Sequence, residues 1–128
     1  MPHKPERGFC YRDSYMILME GKYDAGSEEC VLCHGFPRLT AADGGTPAGT
    51  LYGHAWLERT MPNIGLVVCF DVLAEVSVPR ELYYRAGNID PAYVTRYTKA
   101  EASAMIVSHG IYGPWEDNEP DGVVYAND

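Results

Sequence analysis

Tyr52-Gly53-His54-Ala55-Trp56-Leu57-Glu58, followed by Val67-Val68-Cys69-Phe70-Asp71, has the pattern of two paired β-strands. Side chains alternate between the two faces of a strand, so His54, Trp56 and Glu58 share one face. We predict an antiparallel hairpin with Glu58 opposite Val67, around a loop that contains residues 61–63. This register places His54 directly opposite Asp71 on the same face, with Cβ atoms about 5 Å apart. An imidazole hydrogen-bonded to a carboxylate is the general base and orienting group of a catalytic triad.

The composition is that of a soluble globular chain. With 128 residues, 46% hydrophobic and 22% charged, the sequence predicts one domain, residues 1–128, with a substantial core. A net charge of −8 leaves no basic patch for nucleic acid, and no apolar run reaches the roughly 18 residues of a membrane span. The first residues lack the apolar core of a signal peptide. We therefore expect a cytoplasmic protein whose cysteines are reduced.

The remaining elements follow from periodicity and from helix-ending residues. Residues 10–20 form one apolar helical face, with Gly21 as the stop, and Thr98 with Glu101 forms a capping box that opens a helix to about residue 109, ended by Gly110. Further predictions are a strand at 30–36, a flexible loop at 40–50, an extended piece at 74–78, a helix at 80–86 with Pro79 at its first position and Gly87 as its stop, and a strand at 93–97. The sequence predicts an α+β fold around an antiparallel sheet.

The two ends of the chain are predicted to be exposed. Residues 1–8, with two prolines, are expected to be an exposed lead-in, and residues 116–128 an acidic, solvated tail. Tyr112 and Trp115 are expected to pack back onto the domain.

Cys10 is the candidate nucleophile because it begins the first predicted helix. A thiol at a helix N-terminus faces the positive end of the macrodipole, which favours the thiolate. The backbone N–H groups there can also stabilise the oxyanion of an acyl-transfer intermediate. Cys10, His54 and Asp71 would then be nucleophile, general base and orienting group.

These residues resemble the transglutaminase-like branch of the papain-type cysteine enzymes. That superfamily carries, in chain order, a Cys at the start of a central helix, a His on a strand that often reads H-A-W-x-E, and an Asp on the next strand. Here the His strand reads His54-Ala55-Trp56-Leu57-Glu58, and Arg7-Gly8-Phe9-Cys10 is similar to the R-G-x-C turn of the related arylamine N-acetyltransferases. The resemblance covers residues 7–71. Two features depart from the family: only nine residues precede Cys10, and Val72 follows Asp71 where Pro or Thr is frequent.

The resemblance implies a papain/transglutaminase-like core in which an antiparallel sheet packs against the helix that carries the nucleophile. It also implies acyl transfer on a protein or peptide substrate, with no cofactor and no metal. Water would resolve the acyl-enzyme in a peptidase, amidase or deamidase, and an amine in a transglutaminase; we expect hydrolysis, because water needs no second binding site. Trp56 is expected to shield the His–Asp pair from water, and Trp56 and Tyr11 are predicted substrate-binding residues. Residues 82–115 look like those of small uncharacterised phage or bacterial proteins.

Two other interpretations stay open. Cys30-Val31-Leu32-Cys33-His34 matches the C-x-x-C-H spacing of haem attachment and offers three zinc ligands. In a strand, however, residues three apart face opposite sides, so we favour an ordinary half-buried strand. The alternative to an enzyme is a non-catalytic acidic protein of the same fold that sequesters a host or partner protein, with a basic surface as its complement.

Overall fold

A computed structural model describes residues 9–24 and 29–125, and it consists of three α-helices and a five-stranded sheet. The lead-in at 1–8, Arg7-Gly8 of the R-G-x-C turn and the end of the acidic tail lie outside the described residues. The elements in chain order are α1 (Cys10–Glu20), β1 (Val31–Gly35), β2 (His54–Met61), β3 (Leu66–Asp71), β4 (Val76–Pro79), α2 (Arg80–Gly87), β5 (Thr95–Tyr97) and α3 (Lys99–His109). The predicted α+β class is confirmed.

The sheet is antiparallel throughout, with the strand order β4-β3-β2-β1-β5. Alternate side chains of each strand enter two separate cores. Leu32, Ala55 and Leu57 pack with α1 and α3 on one face, while Cys33 and Trp56 pack with α2 on the other. Strand β2 lies at the centre of the sheet, and its residues from His54 to Glu58 are buried on both faces.

The β2–β3 hairpin forms as predicted, but its register differs from the prediction by two residues. Glu58 lies opposite Cys69, not Val67, because β2 runs on to Met61, which pairs with Leu66. The turn between them ends at Gly65, whose φ of 64° is the left-handed conformation that glycine adopts without strain. His54 is therefore not directly opposite Asp71. A slip of two residues leaves every side chain on its predicted face, since the strand period is two.

The predicted helix ends are confirmed for α1 and α3. Gly21 (φ 71°) ends α1, and Gly110 (φ 70°) ends α3. The capping box at the start of α3 is complete, because the Thr98 hydroxyl accepts from the Glu101 N–H while the Glu101 carboxylate accepts from the Thr98 N–H. No helix in the described part of the chain is long and apolar enough to cross a membrane.

Several boundaries differ from those predicted. Pro79 is the N-cap of α2, and Asn88, at φ 49°, ends the helix one residue beyond Gly87. The predicted strand at 93–97 shortens to β5, because Pro91–Tyr93 form a 3-10 turn that the Asp90 side chain caps. The prediction of a solvated acidic tail is wrong for Glu116, whose side chain is only 5% exposed.

Candidate active site

Cys10 is the first residue of α1, as predicted, and it lies at the edge of a cleft. The N-cap, Phe9, makes no side-chain hydrogen bond to this end of the helix. One turn later, the Ser14 hydroxyl donates to the Ala55 carbonyl across 3.3 Å. This bond ties α1 to β2, and so it fixes the thiol relative to the strand that begins at His54.

His54 and Asp71 form the predicted hydrogen-bonded pair. His54 Nε2 lies 2.9 Å from Asp71 Oδ2, and both side chains are about nine-tenths buried. Because β2 begins at His54 and β3 ends at Asp71, the diagonal contact forms at one end of the sheet. Although the register differs by two residues from the prediction, His54 and Asp71 still lie on one face as diagonal neighbours. At that separation an imidazole and a carboxylate can reach each other.

Asp71 is held by two further donors. The Tyr83 hydroxyl donates to Oδ2 at 2.5 Å, and the Ala74 N–H donates to Oδ1 at 3.0 Å. The Asp71 carboxylate therefore has two roles: it caps the turn after β3, and it orients His54. Burial raises the pKa of Tyr83, so its hydroxyl stays protonated and keeps donating. Three donors on two oxygens match an ionised carboxylate, which only accepts.

His54 and Asp71 each shift the pKa of the other towards the charged form. Burial alone would lower the pKa of His54, but the hydrogen bonds with Asp71 and with Cys10 outweigh it and raise that pKa to about 10. Burial likewise works to raise the pKa of Asp71, and the contacts with His54 and Tyr83 bring it down to about 2. At neutral pH the pair is an imidazolium facing a carboxylate.

Cys10 and His54 line the same cleft, and the interaction with Cys10 is among the causes that raise the pKa of His54. Since Nε2 faces Asp71, Nδ1 is the ring nitrogen left for the sulfur. Both residues line a cleft of about 380 Å³ between α1, the start of β2 and the loop at 39–46. The other residues that line the cleft are Leu39, Asp43, Thr46, Tyr52, Gly53, Leu73, Val124 and Tyr125. The three predicted catalytic residues are thus brought together beside a space large enough for a side chain or a short peptide.

The other three cysteines lack this setting. Burial, with the charge of Asp24 added, raises the pKa of Cys30 to about 12. Burial and the Glu58 carboxylate raise the pKa values of Cys33 and Cys69 well above the usual range. All four thiols are free, and Cys10 is the one that lines the cleft at His54.

The predicted substrate-binding residues are buried in the structure. Trp56 is fully buried and Tyr11 is 3% exposed, and their part in substrate binding stays a prediction. The Trp56 ring stacks beside that of His54 at 6.0 Å between centroids, a position consistent with the predicted shielding of the pair.

Glu58, the last residue of the H-A-W-x-E pattern, holds the tryptophan in place. Its Oε2 accepts from Trp56 Nε1 at 2.9 Å and from the Tyr84 hydroxyl at 2.5 Å. Its Oε1 accepts from Arg96 Nε at 3.0 Å, and Arg80 lies 3.8 Å away. The pKa of Glu58 is lowered because these donors outweigh its burial. Glu58 is thus a buried anchor on the same face as His54.

The C-x-x-C-H pattern divides between the two faces of the sheet, as strand geometry predicts. Cys30 packs in the core under α1, and Cys33 in the core under α2. His34 pairs through Nδ1 with Glu116 Oε2 at 2.8 Å, and the Tyr97 hydroxyl donates to the same oxygen. Within 9–24 and 29–125, no three His, Cys, Asp or Glu side chains are grouped to hold a metal ion.

Sequence reasoning missed several residues of the site, among them Tyr52, Tyr83, Val124 and Tyr125. Tyr83 reaches Asp71 from α2, and the last two reach the cleft from the far end of the chain. None has a local pattern that points to its partner. Glu58 did have a signal, since it completes the motif with His54 and Trp56.

No family model, curated protein or solved structure matches this chain. The likeness to the transglutaminase-like enzymes stays a prediction from the residues quoted above.

Proposed function

We propose that this chain is a cysteine-dependent acyl-transfer enzyme with a papain/transglutaminase-like core. The observation that carries the proposal is the meeting, in one cleft, of the Cys10 thiol with a His54 ring already paired to Asp71. A nucleophile, a base and a third group that orients the base are the parts that acyl transfer through a thioester requires. The order of the three residues along the chain and their places on α1, β2 and β3 support the same core.

In the proposed reaction, Cys10 Sγ attacks as the thiolate, with the proton on His54, and forms a C–S bond to the carbonyl carbon of a carboxamide or peptide. The C–N bond breaks, and the amine leaves with the proton that His54 held. Water then attacks the thioester carbonyl, and His54 takes a proton from the water. The C–S bond breaks, which returns Cys10 to the thiolate and releases the carboxylic acid. The backbone N–H of Cys10 donates to the oxyanion in both steps. Asp71 keeps Nε2 protonated, so Nδ1 faces the sulfur.

We propose hydrolysis as the outcome, because water needs no second binding site. A peptidase, amidase or deamidase needs only the acyl donor bound, whereas a transglutaminase must also bind an amine. The free state of all four cysteines fits a reducing compartment, and we propose the cytoplasm. The proposed substrate is a protein or peptide.

The test is acylation by an activated ester, followed by intact-mass spectrometry. With p-nitrophenyl acetate, the protein should gain one acetyl group on Cys10, release p-nitrophenol in a burst of about one equivalent, and then lose the acetyl group to water. Cys10→Ser and His54→Gln should abolish the burst, and Cys69→Ser, which removes a buried thiol away from the cleft, should retain it. Equal labelling of Cys10 and Cys69 in the native protein would overturn the proposal.

The non-catalytic alternative makes the opposite prediction for Cys10→Ala. An acidic protein that only sequesters a partner would keep its full biological effect without the thiol. A Cys10→Ala variant that is folded and fully effective would favour that alternative.

A further inference from the structure

The chain places part of its own C-terminal region in the cleft. Residues 122–125, here called the C-terminal segment, run beside the residues that precede His54. The Val124 N–H donates to the Leu51 carbonyl at 3.0 Å, and the Gly53 N–H donates to the Val124 carbonyl at 2.9 Å. Together these bonds form a parallel β-bridge between Tyr52 and Val124. A short extended peptide is thus bound by the backbone of the strand entry, the mode known as β-augmentation.

Gly53 is shaped to accept an aromatic side chain from this segment. A Cβ atom on Gly53 would lie 2.2 Å from the Tyr125 ring and 2.5 Å from the Tyr11 hydroxyl. The φ of Gly53 is not in the left-handed region, so the reason for glycine here is the close approach of these side chains. Val124 and Tyr125 line the same cleft as Cys10 and His54.

The segment is tethered upstream and remains partly exposed within the cleft, where the Tyr125 hydroxyl also donates to Glu119 Oε2. Trp115 is 6% exposed, and Glu116 is bonded to His34 and Tyr97, so the start of the C-terminal region is fixed to the domain. Val124 and Tyr125, by contrast, are 42% and 38% exposed. A tethered, half-exposed strand competes at high effective concentration with any free peptide, yet it can be displaced.

We propose that the backbone of residues 51–53 is a peptide-binding groove, and that the C-terminal segment occupies it as an intramolecular competitor of substrate. The ligand class is an extended peptide that adds as a parallel strand and lays an aromatic side chain over Gly53, one residue after an aliphatic side chain. The choice of peptide as ligand rests on the proposed function, because the groove leads to Cys10 and His54. Substrate enters when residues 122–125 leave the cleft.

The experiment measures binding without chemistry. In a full-length Cys10→Ser background, the fluorescein-labelled peptide Pro-Asp-Gly-Val-Val-Tyr, the sequence of residues 120–125, is titrated by fluorescence anisotropy. Adding Tyr125→Ala should tighten binding about tenfold, which corresponds to about 1.4 kcal/mol of competition removed. Val124→Pro, which removes the donor to Leu51, should act in the same direction. Tyr112→Ala is the matched control, since Tyr112 is 39% exposed and lies outside the cleft.

A second change tests the groove itself. Gly53→Ala added to the Tyr125→Ala variant puts a methyl group where the aromatic ring of the peptide must lie, so it should abolish the gained affinity. Equal affinity in the parent, Tyr125→Ala and Tyr112→Ala proteins would overturn the inference, as would binding that Gly53→Ala leaves intact.

The acetylation burst on Cys10 tests the proposed enzyme, whereas the peptide titration tests the groove, so the two proposals can fail independently. A burst without peptide binding overturns the groove alone. Peptide binding gained by Tyr125→Ala, with no burst in the native protein, supports the groove and overturns the enzyme.

Discussion

Asp71→Asn removes the negative charge from the pair that orients His54 while keeping the size of the side chain. In the native protein, Oδ1 accepts from the Ala74 N–H, and Oδ2 accepts from both His54 and Tyr83. An amide has one oxygen. If that oxygen stays with Ala74, the amide nitrogen faces His54 Nε2 and the Tyr83 hydroxyl, so both lose their acceptor.

The expected loss of stability follows from the hydrogen bonds that are broken. A buried hydrogen bond to a charged group contributes about 1.5–3 kcal/mol, and removing one partner of a buried ion pair costs about 3–5 kcal/mol. His54 escapes part of this cost because it can release its proton when the carboxylate is gone. We therefore expect Asp71→Asn to lower the free energy of unfolding by about 2–4 kcal/mol near pH 6.

The effect has a defined pH window. The pKa of His54 is raised from 6.5 to about 10, so its stabilisation is fully present below pH 6.5 and is lost as the pH rises through 10. The pKa of Asp71 is lowered from 3.8 to about 2, so its stabilisation is present above pH 3.8 and is lost as the pH falls through 2. The difference between native protein and variant is therefore greatest between about pH 4 and 6.5 and shrinks towards pH 10.

Urea unfolding, followed by circular dichroism at pH 6 and pH 9, measures this difference. Asp117→Asn, at an exposed position, is the matched control and should change stability by less than about 0.5 kcal/mol. A loss in Asp71→Asn no greater than in the control, or one that is the same at pH 6 and pH 9, would refute the account of the pair.

Three further substitutions test the surroundings of the site. Tyr83→Phe removes a donor from the carboxylate of the pair; it should slow the acetylation burst at least several-fold and raise the pKa of Asp71 by NMR titration, and an unchanged pKa of Asp71 would argue against a positioning role. Glu58→Gln removes the charge of a buried carboxylate that accepts from Trp56, Tyr84 and Arg96, and urea unfolding should give a loss of about 1.5–3 kcal/mol, against almost none for the exposed Glu81→Gln. Gly35→Ala puts a methyl group 2.4 Å from the Trp56 ring; it should cost about 1–3 kcal/mol in the same assay, and a neutral result would mean that the two strands pack less closely there.

Most of the fold could be predicted from signals between residues that are close in the sequence. The helix stops at Gly21 and Gly110 and the capping box at Thr98 act within one or two turns, so they could be predicted from neighbouring residues. The hairpin register could not be obtained from alternation, because a shift of two residues preserves every face. Gly65 held the missing information, since its left-handed turn determines where Met61 and Leu66 pair.

The three catalytic candidates could also be predicted from local patterns in the sequence. The residues that hold them in place could not. Cys10, His54 and Asp71 each lie at the end of an element that has a local pattern. Tyr83 and Tyr125 reach the site through tertiary packing, which no spacing along the chain encodes. Glu116 shows the limit of composition, since an acidic run suggests solvent, whereas donors from His34 and Tyr97 bring this carboxylate into the core.

We propose that Cys10, His54 and Asp71 act as one hydrogen-bonded unit. NMR titration of the His54 ring nitrogens tests this claim. We predict that both nitrogens are protonated at pH 8 in the native protein, with a midpoint near 10, and that Cys10→Ser and Asp71→Asn each lower the midpoint. A neutral His54 at pH 8, titrating near 6.5 and unaffected by either substitution, would contradict the claim.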